Sequence, residues 1–276
     1  MALNLDKIKS RLTTLSSKSP EGRSKLIWKP APGQQTIRIV PYFKNPDNPF
    51  IELKFHYKMG AEEKTYLSPD TFNRPDPIVE FSNKLKSTGD KEEWKMGRKF
   101  EPKLRTFAPV IVRGEEEEGV KFWGFGKQVY EAILSVIADP DYGDITDLGN
   151  GRDIVVEFKT AKELKKDFPA TTIRVKPNQT PAVDPTKADL IQKIKNQSDI
   201  MELFPEPTYD ELKSVMDAWL HPEESEDSGG VKVDKTEQAD APVEAGTEKA
   251  PSATAGEAKA NAEDITKAFD NLFGNK

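Results

Sequence analysis

Residues 100–130 read FEPKLRTFAPVIVRGEEEEGVKFWGFGKQVY, with aromatic and basic side chains recurring throughout. The run is entered through Arg98 and Lys99, continues with Phe100, Lys103, Arg105 and Phe107, and passes into the apolar Val110-Ile111-Val112. It turns over the acidic Glu115 to Glu118 and returns through Gly119-Val120-Lys121-Phe122-Trp123-Gly124-Phe125-Gly126-Lys127. The pattern predicts two strands leading into a helix. A pleated strand points successive side chains to opposite faces. That period puts Val120, Phe122 and Gly124 on one face and Lys121, Trp123 and Phe125 on the other. The first face reads as core. The second, a cation with two flat rings, offers what unpaired bases need: charge for phosphates and aromatic planes for stacking, at roughly 1–3 kcal/mol per base. The plainer alternative is a hairpin whose outward rings are covered by another element.

A chain of 276 residues with 36% apolar residues buries one substantial core and at most a small subdomain. The net charge is -6, but it is unevenly spread. Residues 221–276 hold 13 of the 47 acids and 6 of the 41 bases, so the first 220 residues carry 35 bases against 34 acids. The first 30 residues alone have seven bases against Asp6 and Glu21. The absence of cysteine excludes disulfides and thiolate metal sites and is compatible with a reducing interior. No apolar run approaches the ~20 residues of a membrane span. Met1 to Leu15 lacks the apolar segment and cleavage site of a signal peptide, so a cytosolic protein without membrane association is expected.

Leu5, Ile8, Leu12 and Leu15 recur at helical spacing with Lys7, Lys9 and Arg11 between them, predicting a short basic amphipathic helix. It packs on its own core or serves as an arm for phosphate or a neighbouring copy. Strands are expected at Thr36 to Val40 and Ile51 to Tyr57, the latter alternating strictly with a polar outer face, and Lys64 to Leu67 is its hairpin partner. Asp76-Pro77 reads as a helix start with Ile78, Phe81 and Leu85 buried. Lys127 to Ala138 is helical, with Val129, Ile133, Val136 and Ile137 inward. Strands follow at Ile154 to Phe158 and Thr171 to Lys176, the second placing Arg174 and Lys176 opposite Ile173 and Val175. Helices are expected at Lys187 to Lys195 and from the capping box at Thr208. Residues from Pro222 to about Ala262 have too little apolar surface to offset ordering entropy and read as disordered. Ile265, Phe269, Leu272 and Phe273 then form an apolar stripe, most simply a partner-docking peptide, with packing back on the core as the alternative.

Enzymatic motifs fail on spacing. Gly124-Phe125-Gly126-Lys127 lacks the phosphate-loop glycine, which Lys121 replaces, and Gln128 stands where Ser or Thr belongs. Val129 occupies the third glycine of a dinucleotide fingerprint. His56 and His221 are the only histidines. The carboxylates at Glu115 to Glu118 and at Asp139, Asp141 and Asp144 read as solvated loops rather than a metal site for a nuclease. A non-enzymatic protein is expected.

Gly33-Gln34-Gln35-Thr36-Ile37-Arg38-Ile39-Val40-Pro41, then Pro49-Phe50 leading to His56, then Val120 to Tyr130, occur in an order that resembles the helix-destabilising single-stranded-DNA-binding protein family of T-even-type bacteriophages. The likeness spans roughly residues 25–220. It implies an OB-fold core with a small β subdomain, cooperative binding through the basic N-terminus, and recruitment of phage replication and recombination proteins through the acidic C-terminus. It places Trp123 and Phe125 on the family's aromatic strand, Lys103, Arg105 and Phe107 on its basic-aromatic strand, and Phe168 near a further ring. Lys7, Lys9, Ser10 and Arg11 match the family's basic cooperativity motif loosely. The family binds zinc through one His and three Cys. Here His56 falls on the histidine, while Tyr66, Asp76 and Val79 occupy the cysteine positions. No zinc and no other cofactor is expected, with packing by Tyr66, Ile78, Val79 and Phe81 in its place.

The expected fold is mainly β with appended helices: an OB-fold barrel core with a small β subdomain, and a disordered acidic C-terminal tail. Residues 1–24 form a self-association arm carrying Lys7, Lys9 and Arg11; residues 25–220 form the core, with a subdomain at about 50–90; residues 221–276 form the tail, tipped at 263–276 by Ile265, Phe269, Leu272 and Phe273. The expected DNA contacts are Arg98, Lys99, Phe100, Lys103, Arg105, Phe107, Lys121, Trp123, Phe125, Lys127, Phe168, Arg174 and Lys176. The expected function is coating single-stranded DNA in phage replication, recombination and repair, in the cytoplasm of the infected bacterial host. A protein-binding adaptor with a C-terminal docking peptide and an RNA-binding OB protein are the alternatives.

Overall fold

The computed structural model describes residues 25–60 and 63–220 together with Phe269. Lys7, Lys9, Arg11, the acidic segment beyond Leu220, and Ile265, Leu272 and Phe273 lie outside the described residues. Eight strands with several appended helices make the described fold mainly β. The described residues divide into two units, the first from residues 25–52 and Arg105–Phe204, the second from residues 53–60, 63–104 and 205–220 with Phe269.

In the first unit β1 (Ile27–Trp28), β2 (Gly33–Ile39), β5 (Lys103–Val112), β6 (Lys121–Phe125), β7 (Arg152–Lys159) and β8 (Ala170–Gln179) hydrogen-bond in the order β1-β6-β5-β2-β7-β8. β1 runs parallel to β6 and the other neighbours are antiparallel, so the sheet is mixed. One face carries Ile37, Ile39, Ala108, Val110, Ile154 and Val156 under Val129 and Ile133 of α3 (Lys127–Ile137). Ile137, the last residue of α3, is exposed rather than inward. The opposite face is covered where Val40 and Ile111 meet Leu190 and Ile194 of α5 (Ala188–Lys195).

The central hairpin departs from the period-of-two reading. Trp123 is 1% exposed and Phe125 is equally buried, and both belong to the main core. The cause is β1: Trp28 pairs in register with Trp123, and the two indoles meet edge to face with centroids 5.6 Å apart. The other face of β6 is closed as well, by Tyr42 against Phe122. Phe107 lies over Gly124, where a Cβ would come within 2.7 Å of its ring, and its other side meets Phe204. A strand covered on both faces alternates between two interiors, so periodicity reports no solvent side.

Arg38, 0% exposed, is the largest charged group inside the first unit. Its guanidinium donates to Asp153 Oδ1 at 3.1 Å, to the Asp147 carbonyl at 3.3 Å and to Thr180 Oγ1 at 2.6 Å. Arg113 donates to the same Asp153 oxygen at 2.7 Å. These bonds tie β2, β7 and the flanking loops through one carboxylate.

The second unit pairs β3 (Ile51–Met59) with β4 (Lys64–Leu67). Asp76 caps α1 (Pro77–Ser87) by accepting the N–H bonds of Ile78 and Val79, with Pro77 in the first turn where its missing donor costs nothing. Arg98, Lys99 and Phe100 end a helix, α2 (Lys91–Phe100), rather than beginning a strand. Asp90 caps that helix, and Gly97 lets it approach α1: a Cβ there would stand 2.8 Å from the Ser82 carbonyl oxygen. Phe100 is buried against Phe81 and Trp219, the latter on α6 (Tyr209–Leu220), so it faces the interior. Thr208 closes its expected capping box with Glu211.

Trp123→Ala removes a fully enclosed ring, and urea unfolding should show a loss of about 3–5 kcal/mol, the range for large-to-small aromatic truncation in a core.

Candidate nucleic-acid interface

Phe100, Phe107, Trp123 and Phe125 are enclosed, and the exposed rings among the described residues include Trp94 and Phe168. Strands β7 and β8 run to a connection over residues 160–169, where Thr160 and Glu163 form a capping box for the single turn α4 (Ala161–Leu164). Lys165 ends that turn in the left-handed region at φ 53°. The chain then presents Lys162, Lys165, Lys166 and Phe168 outward, Phe168 being 37% exposed. Lys159 reaches Glu157 at 3.2 Å, whereas the other three lysines make no ion pair among the described residues. A ring among uncommitted cations is suited to a base and its phosphates. Arg174 is exposed on β8, Lys176 is half-buried, and neither is paired among the described residues.

The second unit carries a patch of its own. Trp94, 44% exposed on α2, has the Arg98 guanidinium 5.3 Å from its ring centroid. Lys99 and Lys103 are exposed beyond it without an ion pair among the described residues. Arg98 also approaches Glu101 at 4.0 Å. Trp94 and the lysines at 162, 165 and 166 were not read from the sequence. The signal was present: Lys-Glu-Glu-Trp-Lys offers no apolar neighbour adjacent to the indole, and three lysines within five residues precede Phe168.

Other expected cations are committed elsewhere. Lys121 is held by Glu115 at 2.8 Å and Glu118 at 2.6 Å. Partial burial disfavours its charge, but those two carboxylates outweigh burial and raise its pKa above the ordinary lysine value. Arg105 donates to the Gly124 carbonyl at 2.6 Å, and Lys127 lies 3.6 Å from Glu131. The acidic loop therefore acts as a counter-ion site, Glu117 also taking Lys187 at 3.2 Å and Lys193 at 3.6 Å. Asp139 and Asp144 accept bonds from residues two positions onward and so serve turns.

At the position where the resemblance places zinc, His56 is buried on the face expected to be polar and open. It is held there by its bond to Asp76, with His56 Nε2 and Asp76 Oδ2 2.9 Å apart. Ser68 Oγ donates to the same oxygen at 2.5 Å, and Asp76 Oδ1 takes the two helix N–H bonds. Tyr66 faces His56 across the β3–β4 pair and, with Ile78 and Phe81, joins the unit's apolar core. One imidazole and one carboxylate, already bonded to each other and to the backbone, do not fit a tetrahedral zinc. No group of three or more metal-ligating side chains occurs among the described residues. Burial pushes the Asp76 carboxyl up, yet the bonds from His56, Ser68 and the Val79 N–H prevail and hold it below its ordinary value.

Residues 31–219 match the family model described as gp32 DNA binding protein like. The chain belongs to this family. The match bears out the resemblance to T-even-type single-stranded-DNA-binding proteins, and the chain carries a gp32-like DNA-binding domain. A comparison with curated proteins returned no match. No helix among the described residues of this gp32-like protein is long and apolar enough to cross a membrane.

The lowered Asp76 pKa fixes the sign of a pH effect. A depressed carboxylate stabilises the fold fully above its unfolded pKa, near the ordinary 3.8, and ceases to do so as pH falls through the folded value. Asp76→Asn should cost about 1–3 kcal/mol at pH 7. In urea titrations the gap from wild type should hold at neutral pH and narrow as the pH falls through 3.8 and below.

Proposed function

We propose that this gp32-like protein coats single-stranded DNA with little sequence preference, as a non-enzymatic component of phage DNA replication, recombination and repair. The observation that carries the reading is Phe168, an exposed ring beside Lys162, Lys165 and Lys166, which are unpaired among the described residues, within the family-matched segment. Trp94 with Arg98, Lys99 and Lys103 supplies a second contact of the same chemistry. Arg174 and Lys176 add charge for phosphates, while Arg105 and Lys127, held by the Gly124 carbonyl and by Glu131, add less. Rings stack on any base, and lysines release counter-ions, so binding is tolerant of sequence and sensitive to salt.

In this reading the first unit's sheet is the working part of an OB-type core, and the second unit accompanies it. Lys7, Lys9 and Arg11 assist assembly of neighbouring copies on the strand. Ile265, Phe269, Leu272 and Phe273 engage replication and recombination proteins, and the protein acts in the cytoplasm of the infected host. The charge pattern of the two ends and the apolar stripe at the tip support these roles.

Titration with poly(dT) tests the reading. Tryptophan fluorescence should be quenched to saturation and recover with added salt. Trp28 and Trp123 are enclosed and Trp219, 38% exposed, lies against Phe100, so Trp94→Phe should remove more of the quenching than Trp219→Phe. Phe168→Ala should weaken binding by about 1–3 kcal/mol without lowering the unfolding midpoint. Replacing Lys165 and Lys166 with alanine should reduce the salt slope by about 0.7 for each phosphate no longer neutralised. A flat titration at low salt would overturn the reading in favour of a protein-binding adaptor, and clear preference for poly(U) would redirect it to RNA.

A further inference from the structure

The residues of the second unit enclose a pocket that its own folded segments leave to a visitor. Met59 of β3, Ile78 and Phe81 of α1, Phe100 of α2, and Leu212 and Met216 of α6 converge on the ring of Phe269. Phe269 is 3% exposed and meets Phe81 edge to face with centroids 5.9 Å apart. It arrives from far along the chain: residues 221–268 separate it from Leu220, and they hold 12 acids against five bases. Burial of one ring is comparable in size to the entropy of closing a loop that long, the balance that a reversible contact requires.

We propose that this pocket is a docking site for the chain's own C-terminal segment, with Phe269 as its anchor, and that docking withholds this segment from other proteins. The inference deepens the reading of residues 265–273 as a partner-binding tip and rests on it for its consequence, but not for the docking itself. A partner that needs Phe269 must draw it out of the pocket, so its apparent affinity is reduced by the fraction of time the ring is docked. Emptying the pocket uncovers an apolar cavity walled by aromatic and thioether side chains. The acidic linker is then tethered to the second unit at both ends when docked and at one end when released.

The test uses the full-length chain and a fluorescein-labelled peptide of residues 263–276. Peptide anisotropy should rise to saturation with the Phe269→Ala chain, whose pocket lacks its ring. With wild type it should rise about tenfold more weakly, as for a pocket filled nine-tenths of the time. A peptide bearing Phe269→Ala should not bind. Equal affinity for the two chains overturns the proposal. A pocket that collapses in Phe269→Ala would mask binding, so p-benzoylphenylalanine at position 269 supplies an independent measurement. It should cross-link within one chain to peptides containing Met59 or Met216. Cross-links elsewhere in the chain, or only between chains, overturn the docking or its occupant in turn. Loss of partner capture with these cross-links intact would refute the partner-binding reading alone.

Discussion

Trp28 against Trp123 is the contact on which the rest of the first unit depends. Two residues of β1 add to β6 in parallel, and one of them lays an indole across the centre of the hairpin. Edge-to-face pairs of this kind contribute about 0.5–1.5 kcal/mol beyond the area they bury. The larger effect is exclusion. With Phe125 and Tyr130 packed alongside, a stretch rich in flat rings becomes the middle of a core, closed to any base. The rings that stand in solvent, Phe168 and Trp94 among them, lie outside this core.

A similar division separates the cations. Arg38 and Arg113 share Asp153 in the interior, while Lys121, Lys187 and Lys193 are satisfied by the acidic loop. A cation already paired with a carboxylate neutralises phosphates less readily and so displaces fewer of the counter-ions condensed on the nucleic acid, adding little to polyanion affinity. The cations unpaired among the described residues include Lys99, Lys103, Lys162, Lys165, Lys166, Arg174 and Lys176, near the exposed rings in sequence. The near balance of acids and bases in the first 220 residues therefore conceals a segregated surface. This is why net charge was a poor guide and pairing a better one.

Local signals carried most of the secondary structure. Asp76-Pro77 and Thr208 announced their helices through capping chemistry that a few adjacent residues complete by themselves. β7 and β8 were readable because Ile173 and Val175 pack inward while Arg174 stays outside. Non-local coverage was not readable. Nothing near Trp123 reveals that Trp28, almost a hundred positions earlier, will cover it. Helix α2 was hidden by its polarity, since only Met96, Gly97 and Phe100 turn toward α1 and α6, and Gly97 contributes by lacking a side chain. Lys121 looked available because its alternation was read without the Glu115 to Glu118 turn folding back over it.

The second unit is held by hydrogen bonds at Asp76 and by apolar packing. A structural zinc supplies on the order of 10 kcal/mol to a small domain, whereas a hydrogen bond to a charged group supplies about 1.5–3 kcal/mol. The bonds of His56 and Ser68 to Asp76 fix the geometry of the β3 to α1 connection but cannot match that sum alone. The balance has to come from apolar packing, and the unit is dense in it: Phe81 touches Phe100 and Phe269, and Trp219 lies against Phe100. A unit stabilised this way gains from every ring it can recruit, including one delivered by a distant segment. The burial of Phe269 belongs to the same packing, one more ring in a core built from aromatic and thioether side chains.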